Sequence, residues 1–367
     1  MAFRDTANKW YTVPDQRATA ADAAFPAALP NPRGWFCIGF TDEVRPGQVL
    51  TRRFVDQDVV VYRTQAGLLR VVDPYCPHLG AHLGVGGRVD GEDLVCPFHA
   101  FAFSPDGTCV RTGYGTRPPK ARLGHLEIRE KHGMILAWYD PTGGPTFEVP
   151  ELDTEGFSPL VHTIAELPTH PQEMAENGVD TGHISVLHGA VIPDTPVYRF
   201  EGPTMYGRST MRIKIPYVPW GSVTTTYEGE VHGLGYMFAV IHLPRLGPAL
   251  RIWALPTVVG PWRIQLRCAA SFALPLPGWL PSQLNRDALL AASTWLCRYG
   301  LHVTLNSLVL GPDTPIWHTK QYQSAPRLAE GDGPIGRYRR WARQFYSTPP
   351  PSGHGETPEH ESPVPPA

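Results

Sequence analysis

Residues 76–84 read CPHLGAHLG and residues 96–99 read CPFH, and these two short stretches decide the fold of the chain. Seventeen residues separate His78 from Cys96, so the pattern is C-x-H followed by C-x-x-H. Each stretch offers one thiolate and one imidazole, which are donor groups of metal sites. Two loops at the tips of β-hairpins would bring these donors together without a helix. The candidate ligands are Cys76, His78, Cys96 and His99.

Two kinds of metal centre use two cysteines and two histidines. A Rieske [2Fe–2S] cluster takes two Cys on one iron and two His on the other. In a structural zinc site each half usually supplies a like pair of ligands, whereas each stretch here mixes Cys with His. The pattern therefore favours the iron–sulfur cluster over zinc. We assign His82 to the surroundings of the cluster, and we expect the remaining cysteines to be buried packing residues: Cys37, Cys109, Cys268 and Cys297.

A second group of candidate ligands lies on a predicted helix from about Gln172 to His188. Two histidines and one carboxylate, with coordination positions left open, are typical of a non-haem Fe(II) oxygenase. On an ideal helix His188 lies about 140° around the axis from His183, so both reach one metal only if the helix bends or ends between them. Asp180, three residues before His183, can accept a hydrogen bond from its imidazole. By itself, the histidine pair also fits a solvated or packing role.

The third ligand of this site must come from further along the chain. Asp287 lies in a long helix predicted over Leu284–Leu310, and Asp313 lies just past the end of that helix. We favour Asp313, because a carboxylate at a helix end can reach a site under the helix. Asp287 suits the first helical turn, where a negative charge interacts favourably with the helix dipole.

The order of the predicted elements indicates two domains. Short apolar runs bounded by turn residues fill residues 34–140 and predict a small antiparallel β domain, which ends at Gly143-Gly144-Pro145. The second domain begins with a strand near Leu160–Leu167 and the helical stretch with the histidines. A meander of five strands between residues 210 and 272 comes next. The long amphipathic helix would then lie across that sheet.

Four segments make up the expected domain organisation. Residues 1–32 form an N-terminal arm that packs on the second domain and contains one short helix around residues 18–24. Residues 33–145 form the domain of the cluster, and residues 146–347 form the domain of the mononuclear iron. Residues 348–367 are rich in Pro, Ser, Glu and His without apolar periodicity, so we expect a disordered tail.

The composition excludes several classes of protein. The chain has 367 residues, 42% of them hydrophobic and 18% charged, which is typical of a globular protein. Its formal net charge of −2 provides no global field that would draw it onto nucleic acid or an anionic membrane. We expect neither a signal peptide nor a membrane span, because no sufficiently long apolar run is present. Six cysteines are too few for a disulfide scaffold and suit the cytoplasm.

These motifs resemble those of the Rieske non-haem iron oxygenases, in particular the branch of bacterial 3-ketosteroid 9α-hydroxylase oxygenase components and cholesterol 7-desaturases. Besides the two Cys-His stretches, the resemblance covers Gly34-Trp35-Phe36 and residues 169–173, 177–189 and 313–317. It implies an α+β fold with an N-terminal β-rich Rieske domain. The second domain would be a helix-grip (START-like) catalytic domain, whose antiparallel sheet curls around a long C-terminal helix and encloses an apolar cavity.

The resemblance also implies a function. The chain would be the oxygenase component of a multicomponent monooxygenase, hydroxylating a hydrophobic, steroid-like polycyclic substrate with O₂ and electrons derived from NAD(P)H. The four Cys and His residues would hold the [2Fe–2S] cluster, and His183, His188 and Asp313 would hold Fe(II). Electrons would arrive through a separate ferredoxin-type flavin reductase, since no G-x-G-x-x-G fingerprint followed by an acidic residue is present.

An assembly follows from the same resemblance. In a head-to-tail homotrimer, electrons cross from the cluster of one subunit to the iron of its neighbour through a bridging aspartate. Asp180 would be that residue, linking His183 to His99 of the next subunit. Asn177 resembles a polar residue near the iron, and a helix cap or a packing amide is its alternative role. In one departure from the family pattern, Gly311-Pro312 directly precedes Asp313 where relatives continue the long helix.

Several alternatives remain open from the sequence. The same chemistry could desaturate a sterol or demethylate a natural product. Two other kinds of protein would share part of this pattern of Cys, His and Asp residues: the α-subunit of an aromatic ring-dihydroxylating dioxygenase, and a plain Rieske electron carrier. Aromatic and aliphatic residues of the second domain could line the cavity, although each fits the core better. They are Tyr227, Tyr236, Phe238, Trp253, Leu255, Phe272 and Trp295.

Overall fold

The chain is described by a computed structural model over most of its length. The helix expected around residues 18–24 and the tail 348–367 lie outside the described residues. The described residues are 29–214, 221–242, 249–273, 283–303 and 310–346.

Short strands form three small antiparallel sheets in the first part of the chain. The sheets have the strand orders β1-β10-β9, β2-β3-β4 and β5-β6-β7-β8. Their strands are β1 Gly34–Phe40, β2 Val49–Phe54, β3 Gln57–Arg63, β4 Leu69–Val72, β5 Arg88–Asp90, β6 Asp93–Val95, β7 Ala102–Phe103, β8 Cys109–Arg111, β9 Ile128–Lys131 and β10 Met134–Tyr139. The expected antiparallel β domain is therefore present. Sequence patterns missed β2, β5 and β7, which are short or only partly buried.

A single seven-stranded antiparallel sheet dominates the second part, in the order β11-β17-β16-β15-β14-β13-β12. Its strands are β11 Val161–Leu167, β12 Val197–Glu201, β13 Thr204–Lys214, β14 Ser222–His232, β15 Tyr236–His242, β16 Ala249–Gly260 and β17 Arg263–Phe272. The last five strands are the expected meander. The first strand of the group, β11, returns to pair with β17, which was not evident from local pattern.

Five helices accompany this sheet among the described residues: α1 Pro171–Glu176, α2 Thr181–Val186, α3 Gln283–Val303, α4 Leu310–Thr319 and α5 Ile335–Ala342. The single helix expected from Gln172 to His188 is wrong, because residues 177–180 separate α1 from α2. The long helix expected to Leu310 is described to Val303, and the described chain is helical again over Leu310–Thr319. No described helix is long and apolar enough to span a membrane.

The two faces of the large sheet bury different partners. On the inner face Met205, Val231 and Cys268 share a core with Cys297 and Leu301 of α3. On the outer face, side chains of β15 to β17 share a core with β1 and β10 of the first part. This second core contains Tyr236, Phe238, Trp253 and Leu255, together with Trp35, Phe40, Leu136 and Trp138.

Four of the residues considered for the cavity are thereby assigned to the core between the two parts. Tyr236, Phe238, Trp253 and Leu255 point away from α3, as members of the outer-face cluster. Trp295 is largely exposed on α3. Tyr227 and Phe272 are half-buried on the inner face.

Strand β1 joins the two parts because it is buried on both sides. All seven of its residues are buried. Trp35 and Cys37 face the large sheet, whereas Phe36 and Ile38 face the core of the small sheets. A continuous apolar run is what such a strand requires. At this junction the guanidinium of Arg267 donates a hydrogen bond to the carbonyl of Cys37 at 3.0 Å, and the Thr257 hydroxyl donates to the same oxygen.

Candidate metal centres

The two Cys-His loops have the same backbone construction. In the first loop the Cys76 amide donates to the Ala81 carbonyl at 2.9 Å, and the Gly80 amide donates to the Cys76 carbonyl at 2.9 Å. In the second loop the Cys96 amide donates to the Phe101 carbonyl at 2.8 Å, and the Ala100 amide donates to the Cys96 carbonyl at 3.2 Å. The fourth residue after each cysteine is left-handed, with φ of 76° at Gly80 and 52° at Ala100. Two tight turns thus present matching pairs of side chains.

The side chains of these loops converge as the sequence predicted. Cys76 and Cys96 are both buried. Burial raises the pKa of the Cys76 thiol to about 11, and the neighbouring Cys96 thiol adds to the effect. The rings of His78 and His99 lie 4.8 Å apart, centroid to centroid, at 75°. His78 is also stacked on Phe101 at 4.2 Å, a contact that fixes its ring plane and that spacing alone could not predict.

The donor set fits a [2Fe–2S] cluster. Two adjacent buried thiols and two adjacent imidazoles are the ligands that a Rieske cluster requires. The Nδ1 atom of His99 is buried and has no hydrogen-bond partner among the described residues. A buried polar atom without a partner is costly, and coordination would satisfy it. His82 instead lies 3.4 Å from the Asp58 carboxylate and accepts the Gly84 amide, outside the ligand set.

Three further donors meet where α2 and α4 approach one another. The potential ligand atoms of His183, His188 and Asp313 all lie within 4.8 Å of one another. The His188 Nε2 atom is 3.4 Å from the Asp313 carboxylate, and the rings of the two histidines are 5.1 Å apart. The Asp313 side chain is only 6% exposed. A buried carboxylate beside two imidazoles fits a divalent iron, and no other His, Cys, Asp or Glu of the described residues belongs to this group.

The chain path explains how both histidines reach the same point. Helix α2 ends at Val186, so His188 lies beyond the helix rather than on its surface. Gly189 then turns the chain with φ of 62°. Asp313 lies within the helix α4, Leu310–Thr319, and not past a helix end as expected.

Asp180 orients His183 mainly through its backbone. The His183 Nδ1–H donates to the Asp180 carbonyl at 2.7 Å, so Nε2 is the nitrogen available to a metal. The Asp180 carboxylate caps α2 by accepting the His183 amide at 3.0 Å, and it lies 3.6 Å from Nδ1. Burial lowers the pKa of His183, but its hydrogen bond to Asp180 and the nearby carboxylates outweigh this and raise it.

Two ion pairs that the sequence did not reveal hold α1 against its neighbours. Lys320, next to the end of α4, lies 3.1 Å from the buried carboxylate of Glu173. Arg339 of α5 makes two hydrogen bonds to Glu176, at 2.6 and 2.8 Å. Burial raises the pKa of Glu173, while Lys320 opposes the rise. These contacts connect the segments that carry His183 and Asp313.

The remaining sequence candidates have different positions. Asn177 is the C-cap residue of α1 and is half-buried, and its amide makes no hydrogen bond to His183, His188 or Asp313. This position is the cap that the sequence offered as the alternative. Asp287 falls within α3, and its side chain lies outside the described residues.

Comparison with known proteins agrees with this arrangement. Residues 34–120 match the Rieske [2Fe-2S] domain model, and residues 137–252 and 303–346 match the 3-ketosteroid 9alpha-hydroxylase C-terminal domain model. Cholesterol 7-desaturase nvd of Bombyx mori is 32% identical over 328 residues, covering 87% of this chain and 70% of the other. The 3-ketosteroid-9-alpha-monooxygenase oxygenase component of Rhodococcus rhodochrous is 26% identical, covering 86% and 83%.

Solved structures show a similar fold. A crystal structure of dicamba monooxygenase with non-heme iron and dicamba superimposes with a TM-score of 0.59 and 17% sequence identity. The superposition covers 86% of this chain and 96% of the other. The expected α+β architecture, a Rieske domain followed by a domain built on an antiparallel sheet, is confirmed.

Proposed function

The chain belongs to the Rieske non-haem iron oxygenases, in the branch that contains 3-ketosteroid 9α-hydroxylases and cholesterol 7-desaturases, and from this we propose that it hydroxylates a hydrophobic, steroid-like polycycle. It would act as the oxygenase component of a multicomponent monooxygenase. The observation that carries the proposal is the presence in one chain of a Cys₂His₂ loop pair and of a separate trio formed by His183, His188 and Asp313. Residues 33–145 would hold the electron carrier, and residues 146–347 the reaction site.

The protein would prepare the site in two ways. The Asp180 carbonyl holds Nδ1–H of His183, which directs Nε2 toward the metal position. His188 and the buried Asp313 would supply the other two ligands of a mononuclear iron. When bound, the cluster supplies single electrons and the mononuclear iron supplies the activation of O₂.

The electrons would come from NAD(P)H through a separate ferredoxin-type flavin reductase, and the name of the Rhodococcus rhodochrous relative, an oxygenase component, supports a separate electron donor. The cluster loops offer an apolar surface for protein contacts, since Leu79 is 64% exposed and Phe98 62% exposed. Next to the trio along the chain, Val186 of α2 is 87% exposed. Large exposed apolar side chains of this kind suit contacts with another protein. Such positions at the cluster loops and beside the trio support a head-to-tail homotrimer, with Asp180 between His183 and the neighbouring subunit's cluster.

The test measures metal content and product together. Holoenzyme is supplied with a reductase, NADH and ¹⁸O₂, and a panel of 3-ketosteroids, sterols and smaller aromatics is followed by mass spectrometry. We expect one ¹⁸O in a polycyclic product. Asp313→Ala should lose the mononuclear iron and turnover, yet keep the two irons and the visible spectrum of the cluster. Unchanged iron content in this variant would contradict the ligand assignment.

Desaturation is the second candidate, and one observation favours it. The Bombyx mori relative, which is 32% identical, is named as a desaturase. In the same assay, loss of two hydrogens without ¹⁸O incorporation would replace hydroxylation by desaturation. Incorporation of both oxygen atoms into one aromatic product would instead indicate a dioxygenase. Demethylation would release a labelled one-carbon fragment.

A further inference from the structure

The segment between α1 and α2, residues 177–180, fixes the direction in which the His183 ring points. The carbonyl of its last residue, Asp180, accepts Nδ1–H of His183 at 2.7 Å. The Asp180 amide donates in turn to the Glu176 carbonyl at 3.1 Å, and the Val179 side chain is fully buried. A shift of the Val179–Asp180 peptide would therefore turn His183 as well. Any contact that holds this peptide in place also holds the ligand.

A loop that precedes α5, residues 331–333, packs against this segment. The Thr181 hydroxyl donates to the Gly331 carbonyl at 2.9 Å. Gly333 lies directly against the Val179 carbonyl, since a Cβ atom on Gly333 would be 2.0 Å from that oxygen. The same Cβ atom would be 3.3 Å from the Thr181 amide nitrogen, and φ of Gly333 is 83°. Glycine allows this close approach because it has no Cβ and adopts positive φ without steric cost.

The loop is itself fixed to the helix before the segment. The Asp332 carboxylate accepts the Ala329 amide at 2.7 Å and closes the turn. In α5, which follows at once, the buried Tyr338 hydroxyl donates to the Gln172 carbonyl of α1 at 2.7 Å. The ion pair between α5 and α1 described above is a second connection. The loop therefore has a defined position relative to α1, and it can hold the peptide that follows α1.

We propose that Thr181 and Gly333 are positioning residues of the mononuclear iron site. Together they hold the Val179–Asp180 peptide in place and so keep the adjoining carbonyl on Nδ1 of His183. The inference rests on the proposed function, because it requires a metal at the trio. A main-chain oxygen cannot rotate away from an added carbon as a flexible side chain can. A side chain at Gly333 would therefore displace the peptide, turn Nε2 of His183 away from the other two ligands and weaken metal binding.

The experiment measures the affinity of the trio for Co(II), because imidazole and carboxylate ligands also bind this divalent metal. The full chain, with its cluster loaded and its mononuclear iron removed by a chelator, is dialysed to equilibrium against Co(II). Bound cobalt is measured by mass spectrometry, and the cobalt that Asp313→Ala still binds is subtracted as binding outside the trio. Gly333→Ala should weaken Co(II) binding by about tenfold or more, since changes to groups that orient a metal ligand have effects of this order.

Gly156→Ala is the matched control for backbone strain. Gly156 has φ of 75°, close to that of Gly333, and a Cβ there meets nothing within 4 Å. The variant should bind Co(II) as the wild type does. The low-temperature EPR spectrum of bound Co(II) adds a second readout, because it depends on the orientation of the ligands. The spectrum should change in Gly333→Ala and stay unchanged in Gly156→Ala, whereas a variant that is merely less stable keeps the wild-type spectrum.

Two variants of Thr181 test the same role without an added carbon. Thr181→Val removes the hydroxyl but keeps the shape of the side chain. It should weaken Co(II) binding by about threefold, which lies within the free energy of one hydrogen bond. Thr181→Ser keeps the hydroxyl donor and should bind as the wild type does. Since both substitutions are small, they test the positioning role even where Gly333→Ala fails to fold.

The failure of this inference differs from the failure of the proposed function. Wild-type affinity in Thr181→Val, or equal losses in Thr181→Val and Thr181→Ser, would overturn the positioning role. Equal losses in Gly333→Ala and Gly156→Ala, or a wild-type spectrum in Gly333→Ala, would also overturn it. In each of these cases wild-type Co(II) binding still depends on Asp313. If Asp313→Ala bound as much cobalt as the wild type, the ligand assignment and the inference built on it would both be wrong.

Discussion

Single residues show how alike the two cluster loops are. Both loops need a left-handed residue four positions after the cysteine, and the chain supplies Gly80 in one and Ala100 in the other. Glycine adopts this conformation without steric cost, whereas an L-residue with a Cβ is strained by roughly 1–2 kcal/mol. The second loop therefore carries backbone strain that the first lacks.

This difference in backbone strain predicts that two substitutions, each of which adds or removes one methyl group, change the free energy of unfolding in opposite directions. Gly80→Ala should lower the free energy of unfolding by about 1 kcal/mol, because a Cβ at Gly80 meets no atom within 4 Å and only the backbone is strained. Ala100→Gly should raise it by a smaller amount. Thermal unfolding of the holoprotein, followed by the visible absorption of the cluster, measures both. A lower midpoint for Ala100→Gly would show that the Ala100 side chain contributes packing that exceeds the strain.

Among the helices, α1 begins with an unusual cap. His170 is the N-cap residue, and its Nδ1 accepts the Gln172 amide at 3.1 Å. This bond needs an unprotonated Nδ1, and burial lowers the pKa of His170 to about 3. Below pH 6.5, the ordinary pKa of histidine, His170 binds a proton in the unfolded chain but stays neutral in the folded chain. The native state is therefore destabilised as the pH falls from 6.5 toward 3.

Two substitutions distinguish the contribution of the N-cap hydrogen bond to stability from the effect of protonating His170. His170→Asn keeps a good N-cap but has no side chain that can bind the proton. Below pH 6.5 its free energy of unfolding should therefore fall by about 1.4 kcal/mol less per pH unit than the free energy of unfolding of the wild type. His170→Ala removes the cap as well and should cost a further 1 kcal/mol or so at every pH. Denaturant unfolding at pH 7.5 and pH 5.5 gives both quantities. The same pH slope in wild type and His170→Asn would exclude His170 as the titrating group.

At the scale of the whole molecule, the large sheet separates two cores. Its outer face packs on the strands that support the cluster loops, and its inner face packs on the helices that position the trio. The loops and the trio each have exposed apolar neighbours, represented by Phe98 and Val186. Surfaces of this kind suit contacts between subunits, and the proposed trimer would bring one subunit's loops to the next subunit's trio.

Subunit mixing tests electron transfer across such an interface. A Cys96→Ala chain should lack the cluster, and an Asp313→Ala chain should lack the mononuclear iron, so each homo-oligomer should be inactive. Co-expression of the two chains should restore part of the turnover, because one subunit's cluster can then serve its neighbour's iron. Activity no higher than that of the separate variants would indicate transfer within a single chain. Light scattering on the same samples determines the number of subunits.

Local sequence determined the parts of this protein that depend on few neighbours. The spacing of Cys76, His78, Cys96 and His99 predicted the convergence of two thiols and two imidazoles, because tight turns fix their own geometry within a few residues. Alternation and turn residues predicted most strands. His183, His188 and Asp313 were selected by donor chemistry, and the structure brings all three together.

Tertiary structure alone decided where those pieces meet and which way they face. The break between α1 and α2 and the position of α4 beside them depend on packing and on distant ion pairs such as Lys320 with Glu173. Tyr236 and Trp253 had the same apolar character as Tyr227, yet they face the opposite side of the sheet. A strand's sequence gives two faces, but only the layers packed above and below it decide which face lines the core and which faces the reaction site.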